Sequence, residues 1–162
     1  KKQCGGFTQQ EIDTFFSALG NDIHSIMRAV PKGFLIKYHP MGDSLVIDPT
    51  YYEVVKNGKN SRGQTALYTA CRFGTVHMVN TLLLIDGIDV NAKNNDGSTP
   101  AMGAVWGKSA EDIVNFTNVG QILSSLYNYS NDLDLNIKKG NDETVWTILA
   151  IKHANNKLQF RV

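Results

Sequence analysis

The chain has 162 residues and a formal net charge of +1, a size that fits one domain, or one domain with a docked segment. Hydrophobic residues make up 42% of it and charged residues 19%, which is typical of an ordinary globular protein and not of a disordered one. The near-zero charge argues against nucleic acid or an anionic membrane as a partner. No apolar run approaches the ~18 residues of a membrane span. Two distant cysteines, Cys4 and Cys71, predict a reducing, cytoplasmic location.

The N-terminal region predicts a helix within residues 9–30. Ile12, Phe15, Phe16 and Leu19 recur at helical spacing and form one apolar stripe. Such a stripe suits two roles. It could dock a second protein, as in an adaptor that binds a ubiquitin-ligase subunit, or it could pack within the chain itself.

Two short β-branched runs follow the predicted helix. Phe34–Tyr38 and Ser44–Asp48 flank a turn segment that contains Pro40 and Gly42, which predicts a β-hairpin. The simplest interpretation is a cap that covers the apolar end of the elements after it.

The same segment allows a catalytic alternative. A His beside a strand, followed by a strand that ends in Asp-Pro, is similar to the closing half of the papain-like cysteine proteases secreted by bacterial pathogens. The resemblance implies that Cys4 would attack a carbonyl, His39 would accept and return the proton, and Asp48 would orient the imidazole. Only 35 residues separate Cys4 from His39, which is short for such an enzyme. We expect the chain not to be an enzyme, and a protease fragment stays the alternative.

A phrase repeated at a spacing of 34 residues dominates the rest of the chain. Residues 60–74 return as residues 94–107, with Gly63 matching Gly97 and Thr65 matching Thr99. A fixed period of this length predicts a stack of structural repeats. Each phrase contains a Gly turn and then a threonine where a helix N-cap belongs.

The second helix of the unit is predicted from an apolar stripe. Val76, Val79, Leu82 and Leu83 recur at helical spacing, as expected for a helix with one face against the stack. With the Gly turn, the threonine cap and the closing phrase Asp89-Val-Asn91, this sequence resembles the ankyrin repeat. The resemblance implies a mainly α fold, a stack of about three to four helix-turn-helix units preceded by the N-terminal helix and the short hairpin.

Looser copies flank the two clear ones. Asp134 to Lys138 repeats Asp89 to Lys93 at a spacing of 45, and Thr144 repeats Thr99. We place the 11 extra residues around 109–131, as a longer loop or a lengthened helix, and expect a partner helix to begin at Lys157. Residues 21–30 are either a degenerate copy or an unrelated amphipathic helix. The predicted division is therefore 1–56 for the helix and hairpin segment and 57–162 for the repeats, with units 57–90, 91–135 and an incomplete 136–162.

The resemblance also implies where a partner protein binds. Ankyrin repeats contact partners through hairpin tips and the exposed side of the first helix, at positions that vary between units. Arg72, Phe73 and Trp106 stand out because Arg and aromatic residues dominate binding hot spots, although Trp106 could instead pack under the adjacent insertion. The full set, carried over by position, is Lys59, Ser61, Arg62, Gln64, Arg72, Phe73, Lys93, Asn95, Asp96, Ser98, Trp106 and Lys138, with Asn141, Glu143 and Lys152 in the looser third copy.

Further expectations concern chemistry. The Asn of the Asp-Val-Asn phrase can be hydroxylated in ankyrin proteins, so Asn91 is a candidate site, although a hydrogen bond across the turn is its plainer role. The four histidines share no metal-ligand spacing, and we expect no metal and no cofactor. The predicted function is protein–protein interaction. The Asn-rich, loosely spaced repeats resemble those of bacterial effectors, which implies a host protein as the partner.

Overall fold

The described residues form seven α-helices and one small antiparallel sheet. A computed structural model describes residues 6–19, 35–38, 45–73, 76–106 and 118–159. Short 3-10 helices precede the second and the last helix, at Pro49–Tyr51 and Gly140–Asp142. In chain order the elements are α1 (Gln9–Ala18), β1 (Leu35–Tyr38), β2 (Leu45–Ile47), α2 (Tyr52–Asn57), α3 (Ala66–Phe73), α4 (Val76–Leu83), α5 (Pro100–Trp106), α6 (Asn118–Tyr129) and α7 (Val145–Gln159).

The hairpin loops before α3 and α5 share one hydrogen-bond pattern. The Asn60 side-chain oxygen accepts from the backbone N–H groups of Arg62 and Gln64 at 3.0 and 2.9 Å. Asn94, 34 residues on, accepts from Asp96 and Ser98, both at 2.9 Å. Side-chain bonds of this kind hold a short turn without help from other elements.

A left-handed backbone residue closes each of these hairpins. Gly63 has φ of 73° and Gly97 has φ of 81°, a conformation that costs glycine little. A Cβ at Gly63 would also collide with the side chain of Asn95 on the next hairpin. In the third hairpin Asp142 holds the equivalent position with φ of 60°.

Threonines begin the first helix of each unit, as predicted. The Thr65 hydroxyl accepts from the backbone N–H of Tyr68 at 3.1 Å. The hydroxyls of Thr99 and Thr144 accept three residues ahead in the same way, at 3.4 Å each. Each cap satisfies one N–H group that a helix start would otherwise leave without a partner.

Small residues let the first helices approach closely. Helix α3 packs on α5, and α5 packs in turn on α6 and α7. Ala70 in α3 and Ala104 in α5 are fully buried. A Cβ on Gly103 would lie only 3.1 Å from the Tyr68 ring, so the absence of a side chain there sets the distance between α3 and α5.

Helix α1 belongs to the same core. Thr8 caps it, and a reciprocal bond from the Thr8 N–H to Glu11 completes a capping box. Ile12, Phe15 and Phe16 are buried, as is Leu19 just after the helix. The apolar stripe therefore packs within the chain, and the alternative role, docking an adaptor's second protein, is wrong for these side chains.

The predicted β-hairpin is present. Strands β1 and β2 pair antiparallel, with Leu35 opposite Ile47 and Tyr38 opposite Leu45. A register irregularity lies between Leu35 and Lys37. Strand β2 lies beside α4, the second helix of the first clear unit. Residues 21–30, the candidate degenerate copy, lie outside the described residues.

The second and third units depart from the regular repeat. Helix α6 has 12 residues where α4 has 8, so a lengthened helix accounts for part of the 11 extra residues. Helix α7 runs without a break from Val145 to Gln159. The expectation that a partner helix begins at Lys157 is therefore wrong, because that residue continues the first helix of its unit.

One repeat position changes its environment along the chain. Leu67 in α3 and Ala101 in α5 are 0% and 2% exposed. Trp146 holds the same position in α7, 45 residues after Ala101, and is 52% exposed. The described residues cover this position in the first two units and leave it open in the third.

Candidate functional site

Two aromatic side chains and three cations form the most distinctive surface among the described residues. Phe73, at the end of α3, is 52% exposed, and Trp106, at the end of α5, is 38% exposed. We call this surface the aromatic–basic face and define it by Arg72, Phe73, Trp106, Lys139 and Lys152. Its members come from three consecutive units.

Arg72 links the buried and exposed parts of α3. Its guanidinium carbon lies 4.8 Å from the centroid of the Phe73 ring, a cation–π contact. One terminal nitrogen donates to the hydroxyl of the buried Tyr68 at 3.4 Å. The Arg72 Nε is shielded from solvent and has no hydrogen-bond partner within the described part of the chain.

Trp106 lies beneath two lysines. Lys139 Nζ is 5.7 Å and Lys152 Nζ is 5.3 Å from the centroid of its ring. Lys152 reaches from α7 and donates to the backbone carbonyls of Val105 and Trp106 at 3.0 and 2.7 Å. It thereby satisfies two carbonyls that the C-terminus of α5 would otherwise leave free.

The ammonium of Lys152 is destabilised where it lies. Burial lowers the pKa of Lys152, and the positive charge of Arg72 lowers it further. Helices α3 and α7 therefore bring like charges together at this face.

A cleft of about 550 Å³ adjoins Phe73. Its walls include Asp13 of α1 and the hairpin residues Ser61 and Arg62. The Asp13 carboxylate accepts from both the backbone N–H and the hydroxyl of Ser61. Burial alone would raise the pKa of Asp13, but hydrogen bonds from Ser61 and Gln9 outweigh it, so the pKa is lower than usual.

Most of the predicted hairpin residues are exposed. Arg62, Lys93, Asn95, Asp96 and Lys138 all face solvent. The hairpin tips are joined by a bond from the Asn95 N–H to the Arg62 carbonyl at 3.2 Å. Lys138 pairs with Asp142 at 3.7 Å, an exposed ion pair that contributes little to stability.

Gln64 and Ser98 differ from the other predicted contact residues because they are buried, with 6% and 2% of their surface exposed. The Gln64 side-chain oxygen accepts from the Asn60 amide at 2.8 Å. Because it lies at the closed base of the hairpin, where Asn60 N–H also bonds to its carbonyl, it leaves little surface for a partner.

Asn91 joins the starts of the second and third hairpins. Its side-chain amide donates to the Asp132 carbonyl at 2.6 Å and accepts from the Asp134 N–H at 2.9 Å. Both ends of the amide are therefore used in holding the third hairpin on the second. This is the structural role expected of it, and hydroxylation of Asn91 stays a prediction.

The residues of the catalytic alternative are not brought together by any described contact. Cys4 and His39 lie outside the described residues. Asp48 is half-buried after β2, and its carbonyl accepts from the Tyr51 N–H at 2.9 Å. In the described ranges, no group of three or more metal-ligating side chains comes together. Nor is any helix there long and apolar enough to cross a bilayer.

Two residues of this region were not predicted from the sequence. Lys139 stands 45 residues after Asn94, at the position where the first two hairpins have their structural Asn. That departure from the repeat was the available signal. Asp13 gave none, because its link to Ser61 spans 48 residues with no pattern between them.

Comparison with known proteins identifies the repeats. The family model described as "Ankyrin repeats (3 copies)" matches residues 26–116, more than half of the chain. The inactive serine/threonine-protein kinase TEX14 of Mus musculus is 33% identical over 100 residues, and that of Bos taurus is 36% identical over 94 residues. These matches cover 61% and 57% of this chain but only 6% of each relative. With the 34-residue period and the capped helices, the family match shows that the chain belongs to the ankyrin-repeat family of protein–protein interaction modules.

Proposed function

We propose that the chain binds a partner protein through the hairpin tips and first helices, with the aromatic–basic face at the centre of the contact. The observation that carries the proposal is the exposure of Phe73 and Trp106 at the ends of α3 and α5. Nearly every other residue of these two helices is buried. Exposed aromatics beside Arg and Lys are the composition of binding hot spots.

The exposed residues around the face would form its rim. Arg62, Lys93, Asn95, Asp96 and Lys138 give a mixed-charge border, as polar rims of protein interfaces do. In this proposal residues 1–56 act as a cap, since α1 packs on α3 and β2 lies beside α4. The repeats over 57–162 carry the contact.

No observation favours the alternatives over this proposal. The protease fragment depends on Cys4 and His39, which the structure does not describe. The relatives named above are mammalian proteins and lend no support to an effector. A match to 6% of a relative's length does not transfer that protein's kinase-like character to this chain.

A matched pair of alanine variants tests the face. Phe73→Ala removes an aromatic ring at the end of α3, and Leu84→Ala removes a side chain of similar exposure, 70%, just after α4. We expect Phe73→Ala to reduce recovery of bound proteins in affinity capture and Leu84→Ala to leave it unchanged. Because both side chains are exposed, unfolding free energies should stay within about 0.5 kcal/mol of the parent.

A photo-crosslinking amino acid gives an independent readout. Placed at Phe73 it should form adducts with a partner, and placed at Leu84 it should form far fewer. Equal adducts from both positions, or equal loss of capture in both alanine variants, would contradict the proposed face. A large loss of stability in Phe73→Ala would show that the residue serves the core.

A further inference from the structure

The cations of the aromatic–basic face converge on the two aromatic rings. Lys139 and Lys152 both lie within 6 Å of the Trp106 ring centroid, at 5.7 and 5.3 Å. They come from different elements, the third hairpin and α7. Lys152 is fixed there by its two bonds to the α5 carbonyls, so the fold itself holds two ammonium groups over one ring.

Arg72 adds a third positive charge. It comes from α3, lies against Phe73, and its Nε has a free hydrogen in the described part of the chain. The ion pair seen between described side chains, Lys138–Asp142, includes none of these three cations. No described carboxylate therefore lies within ion-pair distance of Arg72, Lys139 or Lys152. Like charges collected near a partly dehydrated surface repel each other more than they would in water.

From this geometry we infer that the aromatic–basic face binds an acidic peptide segment. Its carboxylates would lie among Arg72, Lys139 and Lys152, and an apolar side chain of the same segment would contact Phe73 and Trp106. The inference rests on the proposed function and specifies that the bound segment of the partner is acidic. A carboxylate matches the planar donor array of Arg and neutralises the repulsion.

The surroundings favour a peptide over a nucleic acid. The net charge of the whole chain is only +1, whereas nucleic-acid binding draws on an extended basic surface. Acidic side chains also occur on neighbouring elements. Asp13 lines the cleft next to Phe73, and Asp96 is exposed on the second hairpin. We expect these carboxylates to repel a long polyanion more than a short anionic segment, because the longer molecule would extend over them.

Peptide binding can be measured on the full chain. Trp146→Phe leaves Trp106 as the only tryptophan, since the sequence has 2, so fluorescence reports on the face. The probe is a short fluorescein-labelled peptide of alternating Glu and Leu, and its matched control has Gln for every Glu. We expect the acidic peptide to shift Trp106 emission and to bind at least about tenfold more tightly than the Gln peptide. Its affinity should fall as salt is added.

Charge-removing variants locate the site. Arg72→Gln and Lys139→Gln should each weaken the acidic peptide about tenfold and leave the Gln peptide unchanged. Lys56→Gln removes the same charge from α2, near Gly87, and should change affinity by less than about twofold. Thermal unfolding of each variant verifies that it is folded.

Several outcomes would overturn the inference. One is that the Glu and Gln peptides bind equally well and that Phe73→Ala abolishes the binding of both. This result would refute the acidic partner and would still support the proposed protein-binding face. Binding of neither peptide would refute the acidic partner, and the crosslinking experiment would still decide the proposed function. Tighter binding of a single-stranded oligonucleotide than of the Glu peptide, or equal weakening by Lys56→Gln, would also refute it.

Discussion

The left-handed position that closes each hairpin is occupied by Gly63, Gly97 and Asp142, with φ of 73°, 81° and 60°. The conformation is intrinsic to glycine, whereas an L-residue with a Cβ is disfavoured there by about 1–2 kcal/mol. The left-handed conformation of Asp142 therefore destabilises the third hairpin, whereas glycine avoids this free-energy cost in the first two. Its side chain gains in return only the exposed pair with Lys138.

This cost predicts that Asp142→Gly stabilises the chain. Asp142→Ala is the matched control, since it removes the same ion pair and keeps the Cβ. We expect the glycine variant to exceed the alanine variant in unfolding free energy by about 1 kcal/mol, measured by urea denaturation. Equal stabilities would show that the third hairpin adopts another backbone conformation in solution.

At the scale of elements, side chains tie together segments that are far apart in sequence. Asp13 connects α1 to the first hairpin through Ser61, and Lys152 connects α7 to the end of α5. These links explain how the irregular parts of the chain attach to the regular repeats.

The Asp13 link predicts a pH dependence. Its folded-state pKa is lowered, so the ionised form is favoured by folding, and that stabilisation is present above the unfolded pKa of about 4. It should be lost as the pH falls through the folded-state value. Compared with Asp13→Asn, the parent should be more stable at neutral pH, and the gap should close below about pH 4, measured by thermal unfolding. A gap independent of pH would contradict the link.

The elements divide clearly into those that sequence could predict and those that it could not. Thr65 and Thr99 as caps and the glycine turns follow from local backbone chemistry, so a pattern in sequence was enough. The cations around Trp106 required the folded stack, because Lys152 lies 46 residues from it. Helix α7 continued past Lys157 since nothing at that position ends a helix: it is followed by Leu158 and Gln159, with no Gly or Pro.

At the scale of the whole molecule, one continuous core runs from Phe7 to Ile148. The N-terminal helix is part of it, with Phe15 and Phe16 packed beside the buried residues of the repeats. The repeats and the segment before them should therefore unfold together.

The shared core predicts a large effect of Phe16→Ala. Removal of this fully buried ring should cost about 3–5 kcal/mol, whereas Phe73→Ala should cost little. The transition should be single, with coincident midpoints by circular dichroism and by Trp106 fluorescence in the Trp146→Phe background. Separate midpoints would show that α1 and the repeats are independent.

The exposure of one repeat position differs between units, and this difference determines which substitutions the position tolerates. Leu67, Ala101 and Trp146 occupy the same place in three successive units, but only the first two are enclosed. A polar replacement is thus excluded at Leu67, where a hydroxyl would lose its water without a partner, and a large side chain is excluded at Ala101, where there is no room. At Trp146 both changes are permitted as far as the described residues decide. The tolerance to substitution therefore follows the place of a unit in the stack, and the repeat motif alone does not define it.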